Sequence, residues 1–123
     1  MPESLKPVPL AFWRSAAGRE PVREWLNELP REDKRIIGRD IAKVQFGWPI
    51  GLPLCRPLSG GLWEVRSALP SKRQARVFFG FYDGVLIALH AIIKKTQKTP
   101  VEELVLAKQR LKEVQSWRAK TRT

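Results

Sequence analysis

The chain has 123 residues and a mass of 14.1 kDa, with 23 Lys+Arg against 12 Asp+Glu, a formal net charge of +11 and a sequence pI near 10.6. That length suits one domain with its own buried core. The single cysteine, Cys55, excludes an internal disulfide framework and a multi-cysteine zinc site, and no apolar run approaches the roughly 20 residues of a membrane-spanning helix. The charge is uneven, since residues 1–65 hold 10 basic and 8 acidic groups while residues 66–123 hold 13 and 4. Such a field favours polyanions, although a merely solvated basic surface has the same composition. The Met1-Pro2-Glu3 start lacks a basic-then-apolar leader, and the expected location is cytoplasmic.

Residues Val8 to Trp13 alternate weakly and are expected to form an edge strand, with Pro9 near its beginning. After Gly18 and Pro21, the apolar residues Val22, Trp25, Leu26 and Leu29 recur at i, i+3, i+4 and i+7, a helical spacing that Pro30 stops. A second helix is expected from Arg31 to about Phe46, with Ile37, Ile41 and Val44 on one face, so that the two helices form a hairpin. Residues Gly47 to Gly61 contain four glycines and three prolines and read as a loop. Three strands follow, Leu62–Ala68, Gln74–Tyr82 and Val85–Ile93, joined as an antiparallel meander whose second turn, Asp83-Gly84, tolerates positive φ at both positions. Thr99, Pro100 and Glu102 read as N-cap, first helical position and capping-box acid of a last helix that runs to about Trp117. The organisation expected is a single domain over 1–123, with its core at about 8–117 and a frayed basic tail at 118–123.

Strand parity decides which side chains meet. With a two-residue turn at Asp83-Gly84, Arg76, Phe78, Gly80 and Tyr82 share a face with Ile87, Leu89 and Ala91, while His90 falls with Val77, Phe79 and Phe81 on the other. A histidine in that setting is more often a hydrogen-bonded core residue than a catalyst. The turn around Leu69-Pro70-Ser71-Lys72 leaves two registers open. In one, Glu64 faces Arg76 as a cross-strand ion pair; in the other, Arg66 faces Arg76, a like-charge contact that suits a phosphate clamp. The apolar strand that runs into Lys94-Lys95-Thr96-Gln97-Lys98 and then a helix start is a further place where cations and free backbone N–H groups can converge on phosphate.

The ordered set Leu62-Trp63-Glu64-Val65-Arg66, Arg76-Val77-Phe78-Phe79, Leu89-His90-Ala91 and Lys94-Lys95-Thr96-Gln97-Lys98-Thr99-Pro100, with Ala107 and Arg110 in the closing helix, resembles the phage-derived toxin-like branch of the RelE/HigB superfamily. The upstream Pro21-Val22-Arg23-Glu24-Trp25-Leu26 is similar too, and the likeness spans about Val8 to Val114. The resemblance implies an α+β, RelE-like fold, in which an N-terminal helix hairpin precedes a twisted antiparallel sheet carrying an N-terminal edge strand, and a C-terminal helix closes it. It also implies the toxin of a type II toxin–antitoxin pair: an endoribonuclease that cuts messenger RNA, commonly on the ribosome, by attack of a 2′-hydroxyl on the neighbouring phosphate, with no metal and no cofactor. The implied partners are mRNA, the 70S ribosome and a helix-turn-helix antitoxin, with no membrane.

Carried over by motif, Arg76 is the first candidate for the scissile phosphate, followed by Arg66, with Lys95 beside the leaving group and Glu64 as general base; fixed cations stabilise the charge that the transition state gains. Lys94, Gln97, Lys98, Lys72, Arg73 and Trp48 are the RNA-binding candidates, Trp48 as a stacking platform in the loop. Relatives often carry tyrosine where this chain has Ala75 and Phe79, which leaves a phenolic acid–base role without residues. The bland counterparts are a cross-strand charge network for Glu64, Arg66 and Arg76, a solvated loop for the lysines, core positions for the five tryptophans and an inert thiol at Cys55. From another functional class, the chain reads as a non-catalytic basic module that binds RNA or the antitoxin.

Overall fold

The computed structural model describes residues 6–51, 54–94 and 99–121, with side chains described up to residue 116. The elements in chain order are β1 (Leu10–Phe12), α1 (Pro21–Asn27), α2 (Arg31–Gly47), β2 (Cys55–Pro57), β3 (Leu62–Leu69), β4 (Arg73–Tyr82), β5 (Val85–Lys94) and α3 (Val101–Thr121). They form a mixed α+β fold with one five-stranded sheet in the order β1-β5-β4-β3-β2. The helix hairpin α1–α2 follows β1, as the spacing of Val22, Trp25 and Leu26 and of Ile37, Ile41 and Val44 leads one to expect.

Helices cover both faces of the sheet. On one, Val22 of α1 and Ile36, Ile37 and Ile41 of α2 pack on Leu69, Ala75, Val77, Ala88 and Ala91. On the other, Ala107 and Leu111 of α3 pack on Leu62, Phe78, Ile87 and Leu89. Gly80 is what lets α3 lie this close, because a Cβ at that position would stand 2.5 Å from Cδ1 of Leu111. On the α2 face, Arg73 at the start of β4 donates from both Nη atoms to buried Asp33, at 2.8 and 3.0 Å, and so ties the sheet to α2.

Several expectations need correction. The sheet is not wholly antiparallel, because β1 pairs parallel with β5 through Leu10↔Leu86 and Phe12↔Ala88. The chain between them, the helix hairpin followed by β2, β3 and β4, is the long connection that a parallel pair requires. The stretch read as a loop holds β2, three residues paired antiparallel to β3. A strand so short, ending in Pro57 and set among glycines, carries no periodic signal, and an edge position tolerates its proline. The last helix continues four residues past Trp117, since Arg118, Ala119 and Lys120 are good helix formers and nothing there breaks the pattern. It also begins later than expected, at Val101: the Pro100 carbonyl accepts from the N–H groups of Glu103 and Leu104, which leaves Thr99 one position outside the cap.

The largest correction concerns β5. Asp83 and Gly84 take positive φ in the second turn and Tyr82 pairs with Val85, as expected, but the register shifts between Phe78 and Phe79. Phe79 pairs with Ala88 and Phe78 with His90, so Leu89 is the extra residue of a β-bulge. Beyond it every side chain changes face: Ala91 turns to the α2 side, opposite Val77, and His90 turns to the α3 side, opposite Phe78. Parity counted without the bulge puts both residues on the wrong faces.

Two predictions follow from this packing. Gly80→Val is expected to destabilise the fold by about 1–3 kcal/mol through overpacking against Leu111, read as a lower midpoint in urea unfolding. Burial pushes the Cys55 thiol up to about 11, so at neutral pH Cys55 stays protonated. Its labelling by a disulfide reagent is expected to track global unfolding and to be negligible in the native state.

Candidate active site

The α3-facing side of the sheet carries its charges in ladder rows. Arg56, Glu64, Phe78 and His90 form one row across β2, β3, β4 and β5; Arg66, Arg76 and Ile92 form the next; and Ala68, Gln74 and Lys94 form a third. Of the two registers open to the first hairpin, the chain adopts the one in which Arg66 faces Arg76. The turn that fixes it holds Ser71 and Lys72 at positive φ, which neither residue type advertises.

Direct opposition of two guanidiniums is unfavourable by itself. Glu64 offsets it: its Oε1 accepts from Arg66 Nε at 2.8 Å, and its Oε2 lies 3.7 Å from Arg76 Nη1. Arg76 is only 1% exposed. Its Nε donates to Gln74 Oε1 at 3.1 Å and its Nη1 to Thr99 Oγ1, just before α3. Burial pushes its guanidinium below the ordinary arginine value, Glu64 acts the other way, and the nearby charges of Arg66 and Arg56 lower it further. Arg66 remains partly open to solvent, with 23% of its side chain exposed.

A second polar pair adjoins the first. Nε2 of His90 lies 2.5 Å from Glu103 Oε1 in the opening turn of α3, and the ring stacks on Phe78 with centroids 6.1 Å apart. The bulge that turns His90 this way is itself held by α3, because Arg110 Nη1 donates to the carbonyl of Leu89 at 2.8 Å while its guanidinium lies over the Trp13 ring.

Of the residues singled out from sequence, Arg76, Arg66, Glu64 and Lys94 therefore share one face. Arg73 lies on the opposite face, committed to Asp33. Trp48 also lies on that opposite face, in an aromatic group with Trp63, Phe79 and Phe81, at centroid distances of 4.8, 5.4 and 5.3 Å. Lys72 is exposed in the hairpin turn. Lys95, Gln97 and Lys98 lie outside the described residues. Sequence reasoning missed Arg56, hidden in the apparent loop, Gln74, the Thr99 hydroxyl, and His90 with Glu103. Only the bulge makes the last pair visible.

Among the described residues, Arg56, Arg66, Arg76 and Lys94 outnumber the carboxylates of Glu64 and Glu103 on this surface. The surplus of positive charge, with Arg66 accessible, is suited to bidentate contact with a phosphate. Removing the carboxylate strands a buried cation, so Glu64→Ala is expected to cost about 3–5 kcal/mol in chemical unfolding, and a change below 1 kcal/mol would show that the pair is dispensable.

No curated protein matches the chain. Among protein families, the model described as "Phage derived protein Gp49-like (DUF891)" matches residues 24–112, a span that holds the second half of α1, all of α2, β2 to β5 and the first half of α3, and with them every residue of the charged face. The chain therefore belongs to the Gp49-like family of phage-derived proteins.

Proposed function

We propose that the chain is the toxin of a type II toxin–antitoxin pair and acts as a metal-independent endoribonuclease on messenger RNA engaged by the ribosome. The observation that carries this reading is the Arg66–Arg76 pair with its shared Glu64, set beside Arg56 and Lys94 on one face. Membership of the Gp49-like family supports the toxin–antitoxin part of this reading. It also supports an antitoxin as partner, for which a helix-turn-helix protein is our proposal. The charged face belongs to the toxin's RelE/HigB-like chemistry, which we carry over from the sequence resemblance.

In this reading the scissile phosphate meets the accessible guanidinium of Arg66, and Arg76 behind it adds fixed positive charge. Attack by the 2′-hydroxyl gathers negative charge on the non-bridging oxygens, and cations held in a partly dry site stabilise it with little reorganisation. Glu64, nearly buried and bonded to Arg66, holds the two arginines at a fixed spacing. Lys94 and, in the proposal, Lys95 neutralise the departing 5′-oxygen, while Gln97 and Lys98 contact the RNA. The non-catalytic reading draws on one specific observation, the burial of Arg76 with donors already committed to Gln74 and Thr99.

Primer extension on mRNA from a translating extract decides between them. The wild-type chain is expected to leave defined cuts, and a 2′-deoxy substitution at the cut site is expected to abolish them. Arg66→Ala should lower the rate about 10²–10³-fold with an unchanged melting temperature. Intact mRNA in the presence of a protein that binds RNA or antitoxin would establish the non-catalytic module instead.

A further inference from the structure

Attack by a 2′-hydroxyl is helped by a base that takes its proton, and a side chain that titrates near neutral pH does this best. His90 is the only histidine in the chain. The only tyrosine, Tyr82, stands at the Asp83-Gly84 turn, at the far end of β4 from Arg76. Glu64, the other candidate base, already holds two guanidiniums.

The bulge at Leu89 is what gives His90 access to the site. His90 pairs with Phe78, two residues from the Arg76–Ile92 pair on the same face. Arg76 is thus a diagonal neighbour of His90, about 7–8 Å away in a sheet, and Arg66, which meets the phosphate, stands one strand further along the same face. The ring is held from two directions, by Glu103 at Nε2 and by Phe78 beneath it, and its side chain keeps 17% of its surface exposed. A base whose orientation is fixed by a carboxylate at one nitrogen is left with the other for proton exchange.

Resting on the nuclease reading above, we propose that His90 is the general base of the reaction and that Glu103 is its positioning residue. Neutral His90 accepts the 2′-hydroxyl proton at Nδ1 as the bond from O2′ to phosphorus forms. The bond from phosphorus to O5′ breaks, and the departing oxygen takes a proton from solvent. The products are a 2′,3′-cyclic phosphate and a 5′-hydroxyl, with no change of oxidation state. The charged groups around the ring are Arg56 and Glu64 in its own row, Arg66 and Arg76 in the next, Lys94 further along β5, and Glu103 and Arg110 from α3.

The test is the single-turnover cutting rate on mRNA-programmed ribosomes, measured from about pH 5 to 8, where a histidine ordinarily changes charge. The wild-type rate should climb with pH as neutral imidazole accumulates and then level off. His90→Gln should lose about 10²–10⁴-fold in rate and lose that acidic limb, with RNA affinity and melting temperature unchanged. Glu103→Gln should keep the limb and lower the rate with RNA affinity unchanged, because the imidazole loses the partner that orients it. A purely structural pair would instead lower the melting temperature and leave the shape of the pH profile intact. Wild-type rate and profile in His90→Gln would overturn the proposal; should that variant fail to fold, a wild-type rate in folded Glu103→Gln would do so. A wild-type chain that never cuts refutes the nuclease reading itself, and the base assignment falls with it.

Discussion

Everything on the functional face follows from one buried guanidinium. Arg76 sits at the centre of the sheet beneath the start of α3, where an unmatched charge is costly. It is matched from three directions: by Glu64 on β3, by Gln74 on its own strand and by Thr99 at the entrance to α3. Those contacts tie β3 and β4 to the entrance of α3, in the register that the turn at Ser71 and Lys72 sets. In that register Arg66 stands opposite another cation, and the cations of the face outnumber the carboxylates of Glu64 and Glu103 among the described residues.

The two faces of the sheet consequently do different work. The α2 face is apolar and aromatic, and its one prominent ion pair, Arg73 with Asp33, is a tie between β4 and α2. The α3 face is divided along its length, with Leu62, Phe78, Ile87 and Leu89 under Ala107 and Leu111 on one part and the charged rows on the other. The bulge marks the border between them. By adding one residue to β5 it keeps Leu89 in the apolar half and delivers His90 to the polar half, and Arg110 clamps the carbonyl at that point.

Much of this was legible in the sequence, for physical reasons that can be named. The hairpin α1–α2 and the strands β3 to β5 show regular apolar spacing, and Asp83-Gly84 has the chemistry its turn demands. Arg66, Arg76 and Glu64 could be placed on one face, although only the turn at Ser71 and Lys72 settles the register. β2 was invisible because three residues ending in proline have no period. The parallel pairing of β1 is a matter of long-range topology, which local pattern does not encode. His90 was misplaced because a bulge has no residue signature here: Leu89 is as good a strand residue as its neighbours, and a single inserted position reverses every parity count beyond it.

In the function we propose, the charged α3 face holds one RNA linkage with cations from separate strands. The most direct test is a structure of the protein with an mRNA fragment made uncleavable by 2′-O-methylation. The expected result is a phosphate within hydrogen-bond distance of the Arg66 guanidinium, with the modified ribose toward His90. RNA lying instead along Trp48 and Phe81 on the α2 face, with Arg66 left to solvent, would contradict it.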